Sequence, residues 1–297
     1  MSQTCSPSAQ RRYGLARVCR VWELARSTVY LHQKRRAAPP APTAKRGPKP
    51  RWSDEGLVEK IQAVLAASPF LGEGHRKVWA RLRWQEVRTS KARVLRLMRD
   101  AKLLAPTRRG HAHGPKAHDG RITTDVPDQM WGMDATSCLT RREGNATVFV
   151  VVDHCAAECI GLHAARPGTR FEAVEALRQG VRAIFGGYAE GIATGLLARH
   201  DHGSQYVSDY LQDELKFLGI ESSPAFVREP EGNGVAERFI RTLKEQLLWV
   251  RTFDTVEELR QALLEFQKRY NREWLCERHG HQSPAAVRAR ATRRKAA

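Results

Sequence analysis

Residues 130–154 read MWGMDATSCLTRREGNATVFVVVDH. Two apolar runs, 130–138 and 146–154, are strand-like, and the second contains ValPheValValValAsp at 148–153. Asp134 interrupts the first run. A carboxylate inside an apolar strand is costly to bury unless it is paired or bound to a metal. Beyond the quoted stretch, 159–165 predicts a third strand, 171–185 an amphipathic helix and 195–200 a fourth strand. Helices are then expected over 208–218, 234–250 and 255–271. Three strands together, then alternating helices and strands, predict a mixed α/β sheet with flanking helices.

Two further carboxylates fall where such a sheet would use them. Asp201 ends the fourth strand in ArgHisAspHisGlySerGlnTyr, and strand C-termini are where α/β sheets place ligands. Glu237 lies in the first turn of a helix, in GlyAsnGlyValAlaGluArgPhe. Converging at one sheet edge, the three would form an oxygen cluster suited to Mg²⁺ or Mn²⁺. Spacing alone does not select them: 35 residues separate Asp201 from Glu237, and the same number separates Asp209 from Glu245. Context does. Asp209 and Glu245 fall on solvated helix surface, whereas Asp201 ends a strand and is soon followed by a glycine. Glu237, Arg241, Lys244 and Leu248 form one stripe of their helix, beside an apolar stripe of Ala236, Ile240, Leu243 and Leu247. That helix can pack inward while offering one carboxylate and two cations to a groove; an intrahelical Glu237–Arg241 pair fits the helix equally well. His200 and His202 flank the cluster as hydrogen-bonding neighbours.

The 297 residues carry a net charge of +18, and it is unevenly spread. Residues 1–118 hold 26 Lys/Arg against 7 Asp/Glu, a net of +19, whereas 119–297 hold 24 against 25. Such a basic half favours a polyanionic partner, nucleic acid above all. Within it, residues 14–36 predict a helix with Leu15, Val18, Cys19 and Trp22 inward. A break at Glu23–Arg26 follows, then a second helix capped by Ser27. This is helix-turn-helix spacing with Arg26, Ser27 and Thr28 at the start of a reading helix, and it equally fits a plain helical hairpin. Residues 37–52 hold five prolines and form an extended basic linker. Residues 53–104 predict three helices: one capped by Ser53 with Leu57, Ile61, Val64 and Leu65 inward, one near 75–85, and one capped by Ser90. The last buries Val94, Leu97 and Met98 and spreads Lys91, Arg93, Arg96 and Arg99 around its remaining surface, a second helix-turn-helix candidate. Residues 105–124 are a Pro/Gly/His-rich connector whose His111, His113 and His118 lack the partners of a metal site.

Other classes are poorly supported. The six cysteines form no CxxC pair, against a zinc ribbon or a disulfide framework, and the default is a reducing, cytoplasmic setting. No apolar stretch is long enough for a transmembrane span, and Met1–Arg12 has no secretory h-region.

AspAlaThr at 134–136, AspHisGlySerGlnTyr at 201–206 and Asn233–Lys244 together resemble the DDE transposases of bacterial insertion sequences. The similarity is greatest to the OrfB-type catalytic proteins related to retroviral integrases. AsnArgGlu at 271–273 and HisGlyHisGlnSerProAlaAla at 279–286 are similar to that group's C-terminal stretch. The resemblance covers roughly residues 45–290. It implies an RNase H-like core over 125–290, followed by a basic tail over 291–297, and two divalent metals per site. It further implies strand cleavage and strand transfer on double-stranded DNA, at the element's ends and in a target. The expected assembly is a homo-oligomer on DNA in the bacterial cytoplasm, with an upstream-frame protein fused or bound. Asp134, Asp201 and Glu237 match the metal-binding triad, and Lys244 matches a lysine associated with DNA ends. Arg241 and Asn233 are expected to meet DNA beside it, as are Arg26, Ser27, Lys91, Arg93 and Arg96 in the basic half. One departure is ArgGluProGluGly at 228–232, more acidic than is usual there. The alternatives are a DNA-binding regulator, which leaves Asp134 and the α/β region without a purpose, and an RNase H-like nuclease without strand transfer.

Overall fold

A computed structural model describes residues 3–37, 51–106, 122, 124–225 and 233–296. The chain divides into two compact units, 1–53 and 54–297. In the first, α1 (Leu15–Val21) and α2 (Arg26–Ala37) form the expected pair of helices. Ser27 does not cap α2 as expected. The chain turns one residue earlier, with Thr28 N donating to the Ala25 carbonyl at 3.0 Å. Only Cys19 is buried among the described residues of this unit, and Trp22, expected inward, is 59% exposed. Two short helices have too little facing surface to enclose an indole.

The second unit begins with α3 (Asp54–Ala67), α4 (His75–Trp84) and α5 (Lys91–Asp100). Their boundaries follow from local chemistry. Ser90 caps α5 by accepting from Arg93 N at 3.1 Å, and Leu57, Ile61, Val64, Val94, Leu97 and Met98 turn inward as expected. Leu65 is only half-buried. The helical segment is held to the rest of the unit by several side-chain contacts, among them the Arg76–Glu277 ion pair. The Gln246 side-chain amide bonds both backbone groups of Leu71, accepting from its N at 2.8 Å and donating to its O at 3.0 Å. Phe70 meets Trp274 edge-on at 5.0 Å.

Five strands follow: β1 (Met130–Thr140), β2 (Gly144–Asp153), β3 (Cys159–Ala165), β4 (Leu197–His200) and β5 (Glu221–Pro224). The sheet order is β3-β2-β1-β4-β5, with β1, β2 and β3 antiparallel and β4 and β5 parallel to β1. On one face, α6 (Arg170–Phe185) and α7 (Asp209–Leu218) pack over Trp131, Met133, Phe149 and Val151. On the other, α8 (Gly234–Leu243) and α9 (Val256–Glu273) cover Val148, Val150 and Val152. Covered on both faces, β2 has no polar stripe. This three-layered mixed sheet with flanking helices is the α/β architecture expected.

Three features depart from expectation. β5, with sequence GluSerSerPro, is an edge strand with no large apolar residue to announce it. The helix predicted over 234–250 is α-helical only to Leu243 and continues as a π-helical turn over Lys244–Leu248. The wider turn rotates Leu248 off the Glu237 stripe, and it is buried together with Leu247. Finally, α10 (Pro284–Ala296) is a single helix, so the expected boundary between core and basic tail at 290/291 falls inside it. Arg288 ties α10 down by donating to both Asp128 carboxylate oxygens and to Glu158. The linker segment 38–50, the three connector histidines and 228–232 lie outside the described residues. Among the described residues no helix is long and apolar enough to cross a membrane.

Candidate active site

Asp134 sits opposite Val150 on β1, its side chain on the face that α8 covers. The β1–β4 ladder pairs Met130, Trp131 and Gly132 with Leu197, Ala198 and Arg199. Continued two residues, that register brings Asp201 level with Asp134, just as β4 ends and the chain turns away. The turn is local: Asp201 Oδ1 accepts from Gly203 N at 2.9 Å. Glu237 arrives from α8, whose first residues are pinned to β1 because Asn233 Nδ2 donates to the Met133 carbonyl at 2.8 Å. Strand, strand end and helix start thus converge on one edge of the sheet.

The electrostatics agree with this placement. Burial pushes the Asp134 carboxyl up to about 6, and the charges of Asp201 and Glu237 push in the same direction. The Ala135 amide and the Lys244 ammonium pull against them, so Lys244 also faces the cluster. Glu237, nearer the open rim, is raised by partial burial. Three carboxylates facing one another without an ion pair among the described residues form an unneutralised, all-oxygen donor set, which fits hard divalent cations. As placed, no three His, Cys, Asp or Glu side chains among the described residues enclose a single ion.

The raised Asp134 pKa has a signed consequence. The folded state holds this proton more tightly than the unfolded chain does, so its ionisation costs stability as pH rises from about 4 to about 6. In metal-free buffer Asp134→Asn is therefore expected to melt higher than wild type at pH 7.5. Below about pH 3, where Asp134 is neutral in both the folded and the unfolded chain, the difference should vanish. Equal melting at pH 7.5 would count against repulsion at the site.

Several expected contacts are placed differently. Asn233 is 4% exposed and bonded to β1, so it does not face a DNA groove; its amide was needed to anchor the helix. Arg241 pairs forward with Glu245 at 3.1 Å rather than back with Glu237. Arg93 gives Nε and Nη2 to Asp54 at 2.9 and 2.6 Å, which ties α5 to the start of α3 and removes that guanidinium from the free basic surface. Arg96 also bonds Asp54, and Lys91 lies over the Trp79 ring at 4.6 Å; both remain at the surface, as do Arg26 and Ser27 in the first unit. His200 bonds Ser222 and the Asp201 carbonyl, and His202 bonds the Ala225 carbonyl, as hydrogen-bonding neighbours do. Two residues escaped the sequence reading. Gly132 and His154 lie beside Asn233, and the only sequence signal was that Gly132 shares the Asp134 face of β1 by the two-residue period.

Comparison with known proteins bears out the resemblance. Residues 218–284 match the family described as the integrase core domain, and residues 52–111 match the HTH-like domain. The transposase InsD of the Escherichia coli insertion element IS2A/D/F/H/I/K is 28% identical over 201 residues, 66% of this chain and 65% of its own length. A 48.2 kDa protein of insertion element IS2A from Escherichia coli is 26% identical over 82% of this chain and 57% of its own length. The chain therefore spans less than two thirds of the length of these relatives. Among solved structures, the catalytic core domain of BIV integrase covers 57% of this chain and 99% of its own, at 19% identity and a TM-score of 0.43.

Proposed function

We infer that this chain, in which an HTH-like domain precedes an integrase core domain with relatives among insertion-element transposases, cuts and joins DNA at the ends of a mobile element. The observation that carries the reading is the convergence of Asp134, Asp201 and Glu237 at one sheet edge, with Lys244 facing them. Asp134, Asp201 and Glu237 would together hold the divalent ions. Magnesium or manganese held there would supply an activated water or 3′-hydroxyl and neutralise the leaving oxygen. The chain's own part is positional. β1, laddered to β2 along its length and to β4 up to Gly132, carries the Asp134 carboxylate, the Gly203 amide orients Asp201, and the α8 anchor fixes Glu237. No side chain has to act as a covalent nucleophile. Several copies would assemble on two element ends and a target, with an upstream-frame protein joining them.

The direct test is incubation with the element's own end DNA and Mg²⁺. Nicked ends together with joined products support the reading. Nicks without joining reduce it to a nuclease, and binding without nicks to a regulator.

Lys244 offers a separate handle, because its charge reaches the carboxylate cluster from the start of the π-helical turn that follows α8. A flexible ammonium there suits a phosphate or a base edge at a DNA end. Lys244→Ala is expected to weaken binding of the cognate end about ten- to hundredfold, with little change on scrambled duplex. Equal weakening on both DNAs would show a general phosphate contact instead.

A further inference from the structure

The Glu237 helix starts over a residue that has no room for a side chain. A Cβ on Gly132 would lie 2.7 Å from Asn233 Oδ1, 2.9 Å from His154 Nε2 and 3.3 Å from the Ala236 Cβ. All three neighbours belong to the layer that carries Glu237 or buttresses it. Asn233, the residue before α8, spends its amide nitrogen on the carbonyl of Met133, next to Asp134. Its amide oxygen faces the His154 ring across the hydrogen of Gly132. Neither that oxygen nor either ring nitrogen completes a well-formed hydrogen bond among the described residues, and the polar groups acting on the ring are the Asn233 amide and the Ile122 backbone. His154 is 2% exposed, and its own backbone is fixed at the end of β2 by donation to the Met130 carbonyl at 3.0 Å. Burial holds its pKa down near 4, so the ring is neutral and carries a single N–H. An N–H on Nε2 would be directed at Asn233 Oδ1, and closing that contact would hold the amide in the orientation that bonds Met133.

We propose that Asn233 and His154 are a positioning pair that sets the Glu237 carboxylate relative to Asp134, with Gly132 as the gap that lets the helix come down onto the strand. The proposal rests on Glu237 belonging to the active site as read above. Its physical basis is the difference in stiffness between the two supports. Asp134 lies within a strand laddered to β2 along its whole length and to β4 up to Gly132, whereas Glu237 sits in a first helical turn, whose amides have no intrahelical partners. One buried side-chain bond to β1 converts that turn into a fixed support. Groups that orient a ligand in this way typically change metal affinity or activity by about ten- to hundredfold when removed.

The test uses the full chain and five readouts: amide exchange over 234–240 in metal-free protein, Mn²⁺ affinity by calorimetry, single-turnover nicking of end DNA, duplex binding and melting temperature. Asn233→Ala should raise exchange in the first turn of α8 and weaken Mn²⁺ binding about tenfold, with a larger loss of nicking and duplex binding within twofold. His154→Phe keeps the ring volume but removes the N–H and should shift all three in the same direction. His154→Gln, which restores a donor, should recover most of the loss and guards against a misfolded Asn233→Ala. Exchange and Mn²⁺ affinity within twofold of wild type in both Asn233→Ala and His154→Phe would overturn the proposal. So would losses that only follow the fall in melting temperature. Failure of the wider reading looks different: wild type itself neither nicks nor binds Mn²⁺ better than Glu237→Gln, while exchange still decides whether the pair holds the turn.

Discussion

Asp201→Asn is expected to lower nicking of end DNA by at least about a thousandfold while duplex binding stays near wild type, because on the proposed reading it takes away one charged metal ligand and leaves the backbone turn intact. The variant keeps an oxygen that can accept from Gly203 N, so the turn after β4 should survive. Asp134→Asn and Glu237→Gln should match it. The control is Asp209→Asn. Asp209 stands in the first turn of α7 and is separated from Glu245 by the same number of residues as Asp201 is from Glu237. It is exposed and should be nearly silent. Retention of more than about a tenth of wild-type nicking by Asp201→Asn would remove Asp201 from the ligand set, since a metal ligand matters by orders of magnitude.

Gly161→Ala is expected to give the largest loss of stability from a single added methyl group. A Cβ on Gly161 of β3 would lie 1.9 Å from the Ala176 carbonyl oxygen and 2.9 Å from its carbon, both backbone atoms of α6. A backbone cannot rotate away as a side-chain tip can, so β3 and α6 must separate. Ala173, Val174, Ala176 and Leu177, all fully buried between α6 and the sheet, would lose packing with them. We expect a cost of about 3 kcal/mol or more, from overpacking combined with lost contacts. For a unit of this size that lowers melting by roughly 6–12 °C. Gly74→Ala is the matched control: its backbone is extended and an added Cβ meets nothing within 4 Å. Melting of Gly161→Ala within about 2 °C of wild type would mean that α6 does not approach β3 this closely.

Elements with a local cause could be read without the fold. The i, i+4, i+7 spacing of Leu57, Ile61 and Val64 gave α3, the Ser90 hydroxyl gave the start of α5, and the unbroken apolar run of β2 marked a strand buried on both faces. Asp134 announced itself because a carboxylate within an apolar strand demands a reason, and Asp201 because it closes a strand. Elements caused by distant neighbours could not be read. β5 is a strand only because β4 offers it a free edge, and α10 is anchored by Arg288 reaching Asp128, 160 positions earlier. Asn233 looked like a DNA contact in a basic helix start, and Arg93 looked like part of a basic face. Packing gave both away, one to the Met133 carbonyl and the other to Asp54. The difference is physical. Periodicity and capping are settled within about one turn of chain, whereas a buried polar group takes whichever partner the tertiary fold brings to it. Sequence therefore named the three carboxylates and the sheet that carries them, and only the assembled structure decided which polar neighbours hold them in place.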